Sequence, residues 1–165
     1  MGCENLDAIK GAILIERQGK AFYTRTAGAA SSPAVARLFT TLAEEEAKHE
    51  AWLERLFVEM STEGTTKGIV AAEYESVPSA IFTEELRKEI GAASYEAAAI
   101  SAAMALEQRA VDYYSGGAEG SGDPACKSLF GLLADWERTH LELLSRIDRE
   151  LQQAVWFDNS FWPSI

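Results

Sequence analysis

The sequence predicts an all-α protein, an antiparallel four-helix bundle built from two duplicated helix pairs with a long connection between the pairs. Three observations support this prediction. Apolar residues recur at helical spacing in four stretches of the chain. Two of these stretches begin with a capping residue followed by proline, at Ser32-Pro33 and Asp123-Pro124. The second half also repeats the first at a fixed offset, since 124 − 33 = 91 and 137 − 46 = 91.

The four predicted helices cover residues 7–27, 33–60, 94–115 and 124–155. The polar connection that follows the second helix is long for a bundle, and we expect it to contain a short helix starting near Thr83. A connection that travels the length of the bundle makes the third helix parallel to the second. The predicted domain organisation is a bundle over 1–155 and an aromatic C-terminal tail over 156–165. The tail is expected to dock on the bundle or a partner subunit, or to recruit another protein.

Two Glu-x-x-His motifs occupy equivalent positions of the duplication, and they contain the only two histidines of the chain. Residues three apart share one face of a helix, so each motif offers a carboxylate and an imidazole to a transition metal. A further glutamate precedes each motif by the same distance, since 46 − 16 = 30 and 137 − 107 = 30. The six candidate metal ligands are Glu16, Glu46, His49, Glu107, Glu137 and His140.

The four candidate carboxylates lie on stripes that otherwise hold leucine, alanine and aromatic residues, where unpaired charges are prohibitive. No lysine or arginine recurs on these stripes, and two divalent cations would bring the charge to zero. Oxygen and imidazole ligands suit iron or manganese. We expect Glu46 and Glu137 to bridge the two metals, because their helices also supply His49 and His140, which should bind one metal each. The alternative is a metal-free bundle whose Glu and His side chains face water.

Other polar residues of these helices allow two interpretations each. The hydroxyls of Tyr23 and Tyr114 could donate hydrogen bonds to ligand carboxylates of the opposite half, or could find other buried partners. Gly19 could clear space beside a metal or serve close helix packing. Three glutamates fall off the inward stripe and are expected to be solvated, or one of them could contact a metal ligand, namely Glu44, Glu45 and Glu50.

The composition excludes some classes of partner. A net charge of −11 argues against nucleic acid and disfavours an anionic membrane surface. The chain shows no secretory signal and no membrane-spanning stretch, and Cys3 and Cys126 are far apart, as in a protein of a reducing compartment. We therefore expect a cytoplasmic protein. The alanine-rich third helix and the aromatic tail favour a homodimer.

The stretch from Leu38 to His49 is similar to the second helix of the rubrerythrins, and the chain resembles the rubrerythrin-like branch of the ferritin-like di-iron carboxylate superfamily over about 7–151. The resemblance implies a ferritin-like bundle, the six ligands named above, and two iron ions, with manganese or zinc possible. It also implies reduction of peroxide or dioxygen. The rubredoxin-like domain with its four cysteines is absent, so the electrons need a separate donor. Ala110 stands where rubrerythrins carry a further glutamate that takes part in redox-linked ligand movement.

Two other functions compete with a di-iron oxidoreductase. One is iron handling, in which ferroxidase activity feeds storage or transfer. The other is a non-redox interaction module, in which the bundle holds an inert metal such as zinc and the tail recruits a partner. A haem-binding bacterioferritin is disfavoured, because the methionine that binds haem in that family comes from the second helix. The only methionine of the second helix here, Met60, lies at its end.

Overall fold

The computed structural model describes residues 6–63 and 95–157, which form four helices: α1 (Leu6–Ala29), α2 (Pro33–Glu63), α3 (Tyr95–Gly120) and α4 (Pro124–Phe157). The third helix is predicted to end at residue 115, with a turn over 116–122. The turn is shorter than this, because α3 continues to Gly120. The predicted connection with its short helix, and the tail beyond Phe157, lie outside the described residues.

The helices pack in two pairs, α1 on α2 and α3 on α4, and α1 also contacts α3. Gly19 of α1 faces Glu46 of α2, and Arg17 reaches Glu54. Earlier residues of α1 thus contact later residues of α2, which makes the two helices antiparallel. Tyr23 meets Glu107 and Tyr114 meets Glu16, which makes α1 antiparallel to α3 as well. It follows that α2 and α3 run parallel. The predicted all-α four-helix fold is confirmed.

Both helix hairpins close on the capping residues that the sequence predicts. The backbone N–H of Val35 donates to Ser32 Oγ over 3.2 Å, and that of Ala125 donates to Asp123 Oδ1 over 2.9 Å. These side chains satisfy N–H groups that the first turn of a helix leaves without an intrahelical acceptor. The proline that follows each cap loses nothing there, because its position has no acceptor to reach. Both predicted caps are therefore present, although Ser32 accepts from the third residue after it and Asp123 from the second.

The core is divided into two apolar clusters. One contains Tyr23, Leu38, Phe39 and Leu144, and the other contains residues such as Ile13, Leu53, Leu129 and Leu133. Along each helix the candidate ligands fall between the residues of the first cluster and those of the second. The polar site is therefore enclosed along the bundle by apolar side chains on both sides.

Cys126 is buried and disulfide-bonded, which corrects the expectation of two reduced thiols. Cys3, the other cysteine of the chain, lies outside the described residues. Distance in sequence is a poor guide here, since the start of α1 and the start of α4 pack in one cluster, with Leu6 against the same core as Cys126. Disulfides are rare in reducing compartments. In the described ranges, no helix is both long and apolar enough to cross a membrane.

Candidate metal centre

The six predicted ligands converge in the middle of the bundle, one or two from each helix. All are buried, with exposed fractions from 0% for His140 to 3% for Glu107. A helix repeats its face every three to four residues, so each Glu-x-x-His motif presents both side chains inward. They form two overlapping clusters, each with ligand atoms within 4.8 Å of one another.

The first cluster consists of Glu16, Glu46, His49 and Glu137. His49 Nδ1 lies 3.1 Å from Glu16 Oε2, 3.6 Å from Glu46 Oε2 and 3.6 Å from Glu137 Oε1. One imidazole nitrogen thus faces three carboxylates that come from three different helices. Such a convergence around one point is the arrangement that a metal ion requires of its ligands.

The second cluster consists of Glu46, Glu107, Glu137 and His140. His140 Nδ1 lies 3.2 Å from Glu46 Oε1, 3.6 Å from Glu107 Oε1 and 3.8 Å from Glu137 Oε2. Glu46 and Glu137 belong to both clusters, and we call them the shared carboxylates. Their placement is the one that the sequence predicts for bridging ligands, with one histidine and one further glutamate on each side.

The shared carboxylates are electrostatically unfavourable without cations. Burial raises the pKa of Glu46 and Glu137 well above the ordinary value, and the charges of neighbouring carboxylates raise it further. Burial alone would lower the pKa of His140, but the surrounding carboxylates raise it well above the usual range. In the metal-free protein these groups therefore hold protons that a bound cation would replace.

The two flanking carboxylates are held by tyrosines across the duplication. Tyr23 donates a hydrogen bond to Glu107 Oε1, and Tyr114 donates one to Glu16 Oε1. These are the contacts that the sequence predicts for the two hydroxyls. Burial raises the pKa of Glu16 and Glu107, but hydrogen bonds from the histidines and tyrosines outweigh it and leave both pKa values lowered. These two glutamates are charged at neutral pH and fixed in orientation.

The residues present fit a pair of divalent cations. Four carboxylates at full ionisation carry four negative charges, which two such ions neutralise while both histidines stay neutral. Glu137 Oε1 is buried and accepts no hydrogen bond from the described part of the chain. A buried oxygen of this kind costs free energy unless something else binds it. A metal in the first cluster would meet that need.

Comparison with known protein families assigns this site. The rubrerythrin family matches the chain over residues 7–148, and no other domain is detected. The chain belongs to the rubrerythrin family. Its buried Glu/His clusters form the di-metal carboxylate site of that family. No curated protein and no solved structure gives a significant match to the chain.

Gly19 lies against the site. A Cβ atom at this position would stand 3.2 Å from Glu46 Cδ and 3.5 Å from Glu46 Oε2. The glycine therefore leaves room for the side chain of a shared carboxylate where α1 crosses α2. Both interpretations from the sequence apply at once, because close helix packing and space beside the ligand are the same contact here.

Two of the glutamates expected in solvent are buried. Glu45 is 5% exposed and bonds Lys48 over 2.7 Å, while Glu50 is 8% exposed and pairs with Arg17 and Lys20 of α1. The prediction for Glu50 was wrong because it considered α2 alone, whereas the cations that accompany Glu50 come from the neighbouring helix α1.

Trp136, which belongs to none of the predicted site residues, lies beside the site. Its ring is 3% exposed and stacks on His49, with ring centroids 4.5 Å apart and planes 17° apart. The only feature of the sequence that could have indicated its proximity to the site is its position immediately before Glu137 of the Glu-x-x-His motif. In the first half, the equivalent residue is Glu45, since 136 − 91 = 45.

Proposed function

We propose that this rubrerythrin-family protein is a di-iron oxidoreductase that reduces peroxide or dioxygen with electrons from a separate donor. The observation that carries the proposal is the pair of overlapping clusters, in which the shared carboxylates lie between two histidines. When bound there, two ferrous ions would supply two electrons to one O–O group, and the ligands would be the six residues of the clusters.

The residues around the clusters have roles that do not depend on the identity of the metal. Tyr23 and Tyr114 hold the outer carboxylates in position, and the pKa of both hydroxyls lies well above the usual range because of burial and the nearby negative charges. They therefore keep their protons at neutral pH and act as donors. The apolar clusters on either side limit the access of water to the site.

Iron handling is the second candidate function, and Ala110 favours it. This residue is buried at 4% exposure, so no carboxylate is available at the position where rubrerythrins carry their further glutamate. A ferroxidase that passes iron on does not need repeated cycles of reduction in place. A storage cage would require a shell of about 24 subunits, which light scattering would distinguish from a small oligomer.

Native purification followed by metal analysis and an optical spectrum under air tests the proposal. Two irons per chain are expected, together with peroxide consumption that requires an added reductant and two electrons for each peroxide. Iron uptake with oxygen consumption but without catalytic peroxide turnover would favour iron handling. Zinc in the native protein, with no redox response, would support the interaction module.

Partners and location belong to the same proposal. We propose a homodimer, with an external electron donor as a transient partner, and we test the cytoplasmic location that the sequence predicts. The disulfide at Cys126 favours a more oxidising environment, and the location is therefore decided by assaying that disulfide and the distribution of the protein in fractionated cells.

A further inference from the structure

A continuous aromatic stack leads from the surface to one side of the metal centre. Trp52 of α2 is partly exposed, and its ring meets Trp136 edge-to-face, with centroids 5.3 Å apart. Trp136 stacks on His49 with centroids 4.5 Å apart. Three rings in van der Waals contact thus connect a ligand of the first cluster with the outside of the bundle.

Comparison of the two duplicated halves shows that the aromatic stack occurs in only one of them. The residues equivalent to Trp136 and Trp52 are Glu45 and Leu143, since 136 − 91 = 45 and 52 + 91 = 143. Neither can continue an indole stack toward His140. One half of the bundle therefore has a feature that metal binding alone does not explain, because the other half presents the same ligands without it.

Resting on the proposed function, we infer that Trp52 and Trp136 form a one-electron route between the surface and the metal held by His49. Trp136 gives one electron to the oxidised site, Trp52 gives one to Trp136, and an external one-electron donor protein reduces Trp52. Both indoles return to their neutral state, so the net transfer is one electron from donor to metal. Two such transfers replace the two electrons that one peroxide takes up, with two protons, to form two waters.

The two tryptophans are better suited to carry an electron than the other pair of aromatic residues between the surface and the site, Tyr113 and Tyr114. Tyr113 is 41% exposed and packs edge-to-face on Tyr114, which donates to Glu16. A phenol loses its proton when it is oxidised, whereas an indole can give up an electron and keep its N–H. Tyr113 therefore provides a matched control for Trp52.

Peroxide labelling tests whether oxidation that starts at the metal site reaches Trp52. The iron-loaded protein is treated with limiting hydrogen peroxide in the absence of a donor, and peptide mass spectrometry maps oxygen addition. Oxidation is expected to concentrate on Trp52 relative to the more exposed Tyr113, and Trp136→Phe should abolish that excess. Unchanged labelling of Trp52 in Trp136→Phe would show oxidation from solvent and would overturn the inference.

A light-driven measurement tests the route without peroxide. A ruthenium polypyridyl photosensitiser, with persulfate as the terminal electron acceptor, oxidises the surface of the manganese-loaded protein, and the electron that Mn²⁺ gives up appears as a loss of its electron paramagnetic resonance signal. Trp52→Phe and Trp136→Phe should suppress this loss, while Tyr113→Phe should not, at equal manganese content.

The two measurements separate the route from the function on which it rests. Light-driven loss through the tryptophans without peroxide turnover would leave the route and reject the peroxidase. Loss of the Mn²⁺ signal that is insensitive to both tryptophan variants would reject the route alone, whatever the peroxide assay shows. A native protein that binds neither iron nor manganese would overturn both.

Discussion

Replacing Glu137 by glutamine should change stability in opposite directions with and without metal. In the metal-free protein, Glu137 is buried, its pKa is raised by burial and by neighbouring carboxylates, and its Oε1 accepts no hydrogen bond within the described ranges. An amide of the same shape is neutral without a proton, so it avoids the free-energy cost of protonating this carboxyl at neutral pH. We expect Glu137→Gln to stabilise the metal-free fold by about 1–3 kcal/mol, because each pH unit over which the carboxyl must be kept protonated costs about 1.4 kcal/mol.

The metal-loaded protein should respond in the opposite way. Metal that binds only the folded state stabilises it by about 2.7 kcal/mol per site at a concentration of 100 Kd. Glu137 belongs to both clusters, so its loss weakens both metal positions rather than one. The variant should therefore lose most of a stabilisation of roughly 5 kcal/mol, which is larger than its gain in the metal-free state.

Thermal melts with a chelator and with excess Mn²⁺ measure both effects. For a chain of this size, about 1 kcal/mol corresponds to a shift in Tm of about 2–4 °C. Glu142→Gln is the matched control, since Glu142 lies on the same helix and is exposed. If Glu137→Gln lowers Tm equally with and without metal, Glu137 is a structural residue and the shared position is wrong.

Further predictions concern the neighbours of the shared carboxylates. Tyr114→Phe removes the hydrogen bond to Glu16 and should weaken metal affinity by about 10–100-fold, as measured by competition with a chelator. Gly19→Ala should raise metal-free stability by up to about 1 kcal/mol through helix propensity but weaken metal binding by crowding a shared carboxylate, which calorimetry would resolve. The metal-free protein should lose stability as pH rises above the ordinary carboxyl value of 4.5, since a raised folded pKa means that the folded state binds more protons. His140 adds stability that is present below its ordinary pKa of 6.5 and is lost as pH rises through its raised value, and urea titrations across this range would show the decline.

The ligands could be predicted from the sequence because they repeat. Two motifs at one offset, each preceded by a glutamate at one spacing, restrict which side chains meet even before the helices are packed. The crossed contacts of Tyr23 and Tyr114 follow from the same symmetry, since each tyrosine lies two turns from its own glutamate and faces that of the other half. Repetition in the chain thus determined the polar centre.

Features that depend on contacts between helices could not be predicted from the repeat in the sequence. The burial of Glu50 depends on Arg17 and Lys20, whose reach toward α2 is set by how α1 packs. The stacking of Trp136 on His49 joins α4 to α2, and no spacing within either helix indicates it. Periodicity tells which face of a helix is buried, but the partner across the interface is decided by packing.

The departures from the duplication matter more for function than the duplication itself. Two equivalent half-sites explain a pair of metals, but by themselves they give no reason for the metals to act differently. The chain places an indole against His49, while at the equivalent position of the other half the acidic side chain of Glu45 bonds Lys48 instead. The two metal positions therefore have the same ligand types in different surroundings. Under the proposed function, such a difference would allow the metal held by His49 to exchange electrons with a donor more readily than the metal held by His140.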